Sequence, residues 1–150
     1  MGQMLPLPIK KLREDAIVPE NAYNGDAGYD LCACEGCELK PFERKLIGTG
    51  LAVEIPYGYA GFVLPRSGLA LKQGLSIVNA PGLIDSNYRG ELGVIAINLD
   101  ANNTIQINPG DRVAQLVIMK VEDVDFKQVD ELAESERGSG GFGSSGVSNA

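Results

Sequence analysis

The sequence predicts an all-β domain, a sandwich, jelly roll or barrel, and three observations lead there. The 3.6-residue hydrophobic period of an amphipathic helix is almost absent. Short runs of alternating apolar residues recur in its place. Gly, Pro and Asn punctuate those runs at turn-like intervals, as in all-β architectures. Leu51, Val53 and Ile55 alternate with Ala52 and Glu54 before Pro56 and Gly58 turn the chain. Phe62 and Leu64 continue the pattern up to Pro65. Asn79–Gly93 reads as a tight β-hairpin. Pro81-Gly82 forces a turn before its first arm, because proline fixes φ and glycine tolerates positive φ. Tyr88-Arg89-Gly90 turns the chain again. A strand over Val94–Leu99 follows, then a turn at Asp100–Asn103 and a strand carrying Ile105 and Ile107. Asn108-Pro109-Gly110-Asp111 turns into a last strand, Val113–Val121. Val94–Leu99 and Val113–Met119 are apolar on both faces. Their second face is expected in the centre of the core or against another subunit, and the reading leans to an oligomer.

One helix is expected, Ser67–Gln73, with Ser67 as N-cap and Gly74 as its stop. A helix N-terminus offers free N–H groups and partial positive charge, which suits phosphate. Arg66 adds a fork of donors beside it. The alternative is an ordinary capped helix with a surface arginine. Beyond Phe126 the composition shifts. A body over residues 1–128 is expected to end there and a flexible arm over 129–150 to begin. Asp130–Glu136 is acidic and is expected to form one frayed helical turn. The segment Arg137-Gly-Ser-Gly-Gly-Phe142-Gly143-Ser-Ser-Gly146 follows. Such glycine runs are normally linkers. Here an Arg that can clamp phosphate and a Phe that can stack on a base suggest a lid that orders on a ligand.

A length of 150 residues points to one domain, and 44% hydrophobic residues suffice for its core. No apolar run is long enough to span a membrane, and no signal-peptide pattern is expected at the start, so a soluble cytoplasmic protein is expected. The net charge of −7 argues against nucleic acid as a partner. A small anion remains feasible where cations concentrate or a metal joins it. The chain has no histidine, so acid–base chemistry must rest on Asp, Glu, Tyr, Lys, Cys or water. Cys32, Cys34 and Cys37 form C-x-C-x-x-C. This is either a zinc half-site lacking a fourth ligand or, as the reading prefers, three small apolar residues in and after a strand.

Asp85 stands out between the turns of the Asn79–Gly93 stretch. It is a carboxylate beside Leu83 and Ile84, and a carboxylate held in one orientation can serve as a general base. Backbone groups along the arms can read a flat base edge, and Tyr88 offers a ring for a sugar to lie against. The alternative is a surface hairpin with a solvated Asp and a packing Tyr.

Asp26-Ala-Gly-Tyr-Asp-Leu31, Pro65-Arg-Ser-Gly-Leu-Ala70, Asn79–Gly93, Gly110-Asp-Arg-Val-Ala-Gln-Leu116 and Arg137–Gly146 occur in this order. Together they resemble the five motifs of the trimeric dUTP diphosphatases. The resemblance runs from about residue 5 to the C-terminus. It implies a distorted jelly roll with one short helix, assembled as a homotrimer with active sites at subunit interfaces. It implies hydrolysis of dUTP to dUMP and diphosphate with Mg²⁺ on the triphosphate. By matching positions, Asp85 is the base that activates water. Tyr88 packs under the deoxyribose. Asn79, Gly82, Leu83, Ile84 and Gly93 bind uracil. Arg66, Ser67, Gly68 and Gln115 hold phosphates. Arg137, Phe142 and Gly143 come from the arm of a third subunit, and Asp30 touches the metal through water. Arg112 is expected to partner a buried carboxylate. The rivals are a dCTP deaminase on the same scaffold and a non-catalytic nucleotide sensor. Tyr88 and the Arg137–Phe142 tail do not fit the first, and Asp85 argues against the second.

Overall fold

Ten strands and one helix follow one another in the computed structural model, which describes residues 2–149. They are β1 (Ile9–Lys11), β2 (Tyr29–Cys32), β3 (Cys37–Leu39), β4 (Arg44–Val53), β5 (Tyr59–Leu64), α1 (Ser67–Gln73), β6 (Leu75–Ile77), β7 (Gly82–Ile84), β8 (Glu91–Asn98), β9 (Ile105–Ile107) and β10 (Arg112–Lys120). One sheet has the order β1-β4-β8-β6 and the other β2-β10-β5-β7, with β3 and β9 forming a separate ribbon. All the pairs are antiparallel. No two strands consecutive in the sequence pair with each other. From β4 to β8 each step instead crosses to the opposite sheet.

The core lies between the two sheets. Leu51, Val53, Leu92, Val94 and Ala96 enter it from one side, and Leu31, Val63, Val113, Ala114 and Leu116 from the other. Strand β8 shows why. Leu92, Val94, Ala96 and Asn98 are buried while Gly93, Ile95 and Ile97 are half-buried, the two-residue alternation of a sandwich strand. The second apolar face of β8, and that of β10 at Val117 and Met119, is thus only partly covered by this chain.

Two fully buried polar side chains make the irregular backbone tolerable. Strand β4 shifts register against β8 between Gly48 and Ala52. Inside that bulge the Thr49 hydroxyl donates to Leu92 O at 2.7 Å and accepts from Leu51 N at 3.3 Å. The Asn98 amide donates to Leu39 O and Asn103 O, both at 2.8 Å, tying β8 to the β3–β9 end. Unpaired backbone groups at these depths would each be costly.

Three local expectations change. The Asn79–Gly93 stretch is not a hairpin: β7 pairs with β5 in one sheet, whereas β8 pairs with β4 and β6 in the other. Turn chemistry specifies a reversal, not which sheet receives the next strand. Ser67 is not the N-cap of α1. Arg66 occupies that position in an extended conformation, with no side-chain cap bond, and Ser67 is the first helical residue. The Gly74 stop is as expected, at φ 74° with its N–H on Ala70 O. Asp130–Glu136 forms no helical turn, since the described residues beyond Lys120 contain neither helix nor strand. The expected body and arm include residues 1 and 150, which lie outside the described residues.

Replacing Thr49 by the isosteric Val leaves Leu92 O and Leu51 N without their partner. It is expected to cost about 1–3 kcal/mol, read as a lower urea midpoint with an unchanged slope.

Candidate active site

Strand register brings the first cluster together. Gln115 on β10 lies opposite both Asp30 on β2 and Leu64 on β5. Residues directly opposite across a ladder share a face, so Asp30 and Gln115 point the same way. Arg66 follows two residues beyond Leu64, at the mouth of α1. These side chains, with Gly28, Ser67 and Gly68, line a cavity of about 540 Å³. Arg66 Nε lies 3.2 Å from Asp30 Oδ1, and Arg112 Nε lies 3.7 Å from Asp30 Oδ2. The Asp30 side chain is 16% exposed, so a mostly buried carboxylate sits between two guanidinium groups. Arg66 Nη1 also donates to Arg112 O at 3.3 Å. A guanidinium carries five donors, so Arg66 is held in place and keeps capacity for a second anion. The Gln115 amide donates to Pro65 O at 2.9 Å. It occupies the space where a side chain on Gly28 would stand. The exposed first turn of α1 adds N–H groups with no helical partner. Together these groups offer donors and positive charge of the kind that can cradle an anion.

The second cluster is the loop that carries the chain from β7 to β8. Tyr88 N donates to Asp85 O at 3.1 Å, closing a turn. Arg89 Nη1 donates to Ser86 O at 2.6 Å and to Tyr88 O at 3.2 Å. The Tyr88 hydroxyl donates to Glu91 O at 2.8 Å. Asp85 and Tyr88 are both exposed. Asn79 places its amide beside the space over Gly82. Leu83 is exposed and Ile84 half-buried, while Gly93 lies in the other sheet, opposite Gly48.

One chain does not bring these clusters together. Ile84 pairs with Gly61 near the start of β5, and Asp85 continues away from there. Arg66 lies beyond the other end of the same strand. At ~3.3 Å per residue the two are roughly 15–20 Å apart along β5. Among the described residues, Arg137, Phe142 and Gly143 make no hydrogen bond or ion pair to either cluster. Arg137 Nε donates to Gly140 O at 2.6 Å, and Phe142 is fully exposed.

Residues 14–146 match the family model of the dUTPases. The chain belongs to the dUTPase family. A deoxyuridine 5'-triphosphate nucleotidohydrolase of Nocardia farcinica is 51% identical over 146 residues, covering 97% of this chain and 88% of that protein. That of Corynebacterium glutamicum is 50% identical, covering 97% and 98%. Among solved structures, the Staphylococcus bacteriophage 80alpha dUTPase with dUpNHpp superposes with a TM-score of 0.89 at 36% identity, covering 96% of this chain and all of that one. A mutant dUTPase of S. aureus phage phi11, described with a structural Mg(II) ion, gives 0.78 at 35% identity, covering 85% and 98%.

Within this dUTPase-family chain, sequence reasoning missed Glu91 and Arg89, whose contacts hold the Asp85–Tyr88 loop. Nothing local to a Glu opening an apolar strand marks its carboxylate as bonded 41 residues away. Cys32 and Cys34 sit in the core as small residues, the Cys34 thiol donating to Thr49 O at 2.9 Å, and Cys37 is half-buried. Cys32 and Cys34 are buried and all three thiols are free. Among the described residues no group of three or more His, Cys, Asp and Glu is placed to hold a metal. Burial pushes both buried thiols above the ordinary cysteine value. The Arg112 charge opposes this at Cys32, and Asp15 reinforces it at Cys34. Cys37 is expected to react with a thiol reagent first, with Cys32 and Cys34 following only at the rate of opening, as progress curves in native buffer would report. Unfolded thiols ionise above about pH 8.5. The stability these two contribute is therefore full below that pH and is lost as pH rises through their raised native values.

Proposed function

We propose that this protein hydrolyses dUTP to dUMP and diphosphate in a homotrimer, each site drawing on more than one subunit. Membership of the dUTPase family supports the substrate, as does the bound dUpNHpp of the phage relative. The observation that carries the assembly is the partition within one chain. Asp85 and Tyr88 sit at one end of β5 and the Arg66–Gln115 cradle at the other. A single triphosphate cannot bridge such a gap and keep a base beside its α-phosphorus. A second copy supplying the missing end solves this without distortion. The half-covered apolar faces of β8 and β10 favour the same association. The extended arm can then bring Arg137, Phe142 and Gly143 to a neighbour's site.

In this reading Asn79 and the backbone of Gly82, Leu83, Ile84 and Gly93 receive uracil. The Tyr88 ring lies under the deoxyribose and rejects a 2′-hydroxyl. Arg66, Ser67, Gly68 and Gln115 bind the phosphates. Asp85 accepts a proton from a water whose oxygen attacks the α-phosphorus, and the bond to the diphosphate oxygen breaks. Arg137 neutralises the far phosphate, and Phe142 with Gly143 closes over the base and excludes water. Asp30 fits an indirect contact to Mg²⁺. Both its oxygens already face guanidinium groups, and a metal bound directly there would meet two positive charges. Mg²⁺ would be held mainly on substrate phosphates with Asp30 reached through its hydration shell, and when bound it supplies charge neutralisation. A cytoplasmic location belongs to the same reading, since three unpaired cysteines suit a reducing compartment. No helix of the described residues is long and apolar enough to cross a membrane.

Wild-type protein with dUTP and Mg²⁺ is expected to release diphosphate, and Asp85→Asn to lose about 10²–10⁴-fold in kcat. No turnover by the wild type would end the proposal. Asp85→Asn and Arg66→Ala, each nearly inactive alone, are expected to recover activity when co-refolded. Mixed trimers then contain sites with an intact Asp85 from one chain and an intact Arg66 from another. Trimers that mix with no recovery would place both residues in one chain's site.

A further inference from the structure

Glu91 opens β8, three residues after Tyr88, and its two ends do different things. Its carbonyl accepts the Tyr88 hydroxyl at 2.8 Å. Its carboxylate reaches back to β4, where Oε2 accepts Gly50 N at 2.9 Å. The register shift between Gly48 and Ala52 takes Gly50 out of the β4–β8 ladder, so a side chain supplies the acceptor that the strand does not. The sequence leaves room for it. A Cβ at position 48 would stand 2.5 Å from Glu91 Oε2 and 3.3 Å from its Cδ. Bulge and carboxylate thus fit one another, and the fit adds to the ladder pair with Ala52 in steadying the backbone that carries the Glu91 carbonyl.

Tyr88 depends on that carbonyl. Its side chain belongs to a residue 44% exposed and rests by one edge over the bare backbone of Gly90, so packing within the chain only partly restrains the ring. The contact at its hydroxyl sets the ring's tilt. The rest of the loop is held separately. Arg89 binds Ser86 O and Tyr88 O and lies 3.7 Å from Glu54 Oε1. Loss of the Glu91 carboxylate therefore frees the phenol more than it disturbs the turn at Asp85.

We propose that Glu91 is a positioning residue for Tyr88, and that the Gly50–Glu91–Tyr88 chain of hydrogen bonds sets discrimination between deoxyribose and ribose. This rests on the reading of Tyr88 as the surface beneath the sugar. A ring fixed in tilt leaves no space for a 2′-hydroxyl, whereas a ring free to rock admits one.

The test compares kcat/KM for dUTP and UTP in wild type, Glu91→Ala, Glu91→Gln, Tyr88→Phe and the Glu91→Ala/Tyr88→Phe double variant. Glu91→Ala is expected to lower the dUTP preference on the order of fivefold to tenfold, the scale of one lost hydrogen bond. Glu91→Gln restores the preference, because its amide oxygen can still accept Gly50 N. The double variant is no less selective than Tyr88→Phe alone, since both changes break one chain. Asp85→Asn, by contrast, lowers turnover of both nucleotides together. An unchanged preference in Glu91→Ala, or additive losses in the double variant, would overturn the inference. Should Glu91→Ala not fold, Gly48→Ala displaces the carboxylate while keeping every hydrogen-bonding group, and an unchanged preference there counts equally against it. A wild type without dUTP turnover would sink the proposed function instead, so the two failures are distinguishable.

Discussion

Strand β5 is the constraint on which the arrangement depends. It pairs with β10 on one side and β7 on the other, and both registers are continuous. One register delivers Arg66 to the cavity beside Asp30 and Gln115. The other delivers Asp85 to the opposite end. Six residues of extended chain therefore hold the two halves of the proposed chemistry apart, and backbone hydrogen bonds make that separation rigid. In the proposed reading, a site on this scaffold is closed by another molecule of the same chain. The half-buried apolar faces then read as surface reserved for that contact rather than as defects of packing.

An acidic protein that binds a highly charged anion needs local cations that do not simply pair with its own carboxylates. The structure meets this with geometry more than with number. Asp30 draws Arg66 and Arg112 to one point. It spends part of the positive charge but fixes where the remaining donors point. An unrestrained arginine would lose more side-chain entropy on binding phosphate. In the proposed function the glycine-rich arm adds its Arg137 in the opposite manner, as a cation brought to the ligand from outside the cradle.

The bulge in β4 illustrates the same economy. A break in the ladder leaves Gly50 N and Leu92 O in need of partners, and the side chains of Glu91 and Thr49 provide them. Glu91 also stands next to the loop that holds Tyr88. A local irregularity of one sheet thereby acquires a hold on a residue at the site. This was not legible in the sequence, because its partners lie more than forty residues apart and a Glu at a strand start is usually solvated.

The candidate residues could be singled out because they sit in short segments whose spacing does not depend on the fold: Arg66-Ser67-Gly68, Asp85 with Tyr88, and Arg137 with Phe142. The all-β class was legible from alternation and turn residues, which act over two to four positions. Burial of Cys32 and Cys34 agrees with reading them as small apolar residues. The pairing of strands was not legible. Turn signals around Pro81 and Tyr88 imply a hairpin, but every neighbour in sequence here joins strands that do not pair. Only burial of the two apolar faces against each other selects that crossing path. The same long-range packing set Asp30 between two arginines. Local propensity cannot encode contacts whose free energy arises only when distant segments exclude water together.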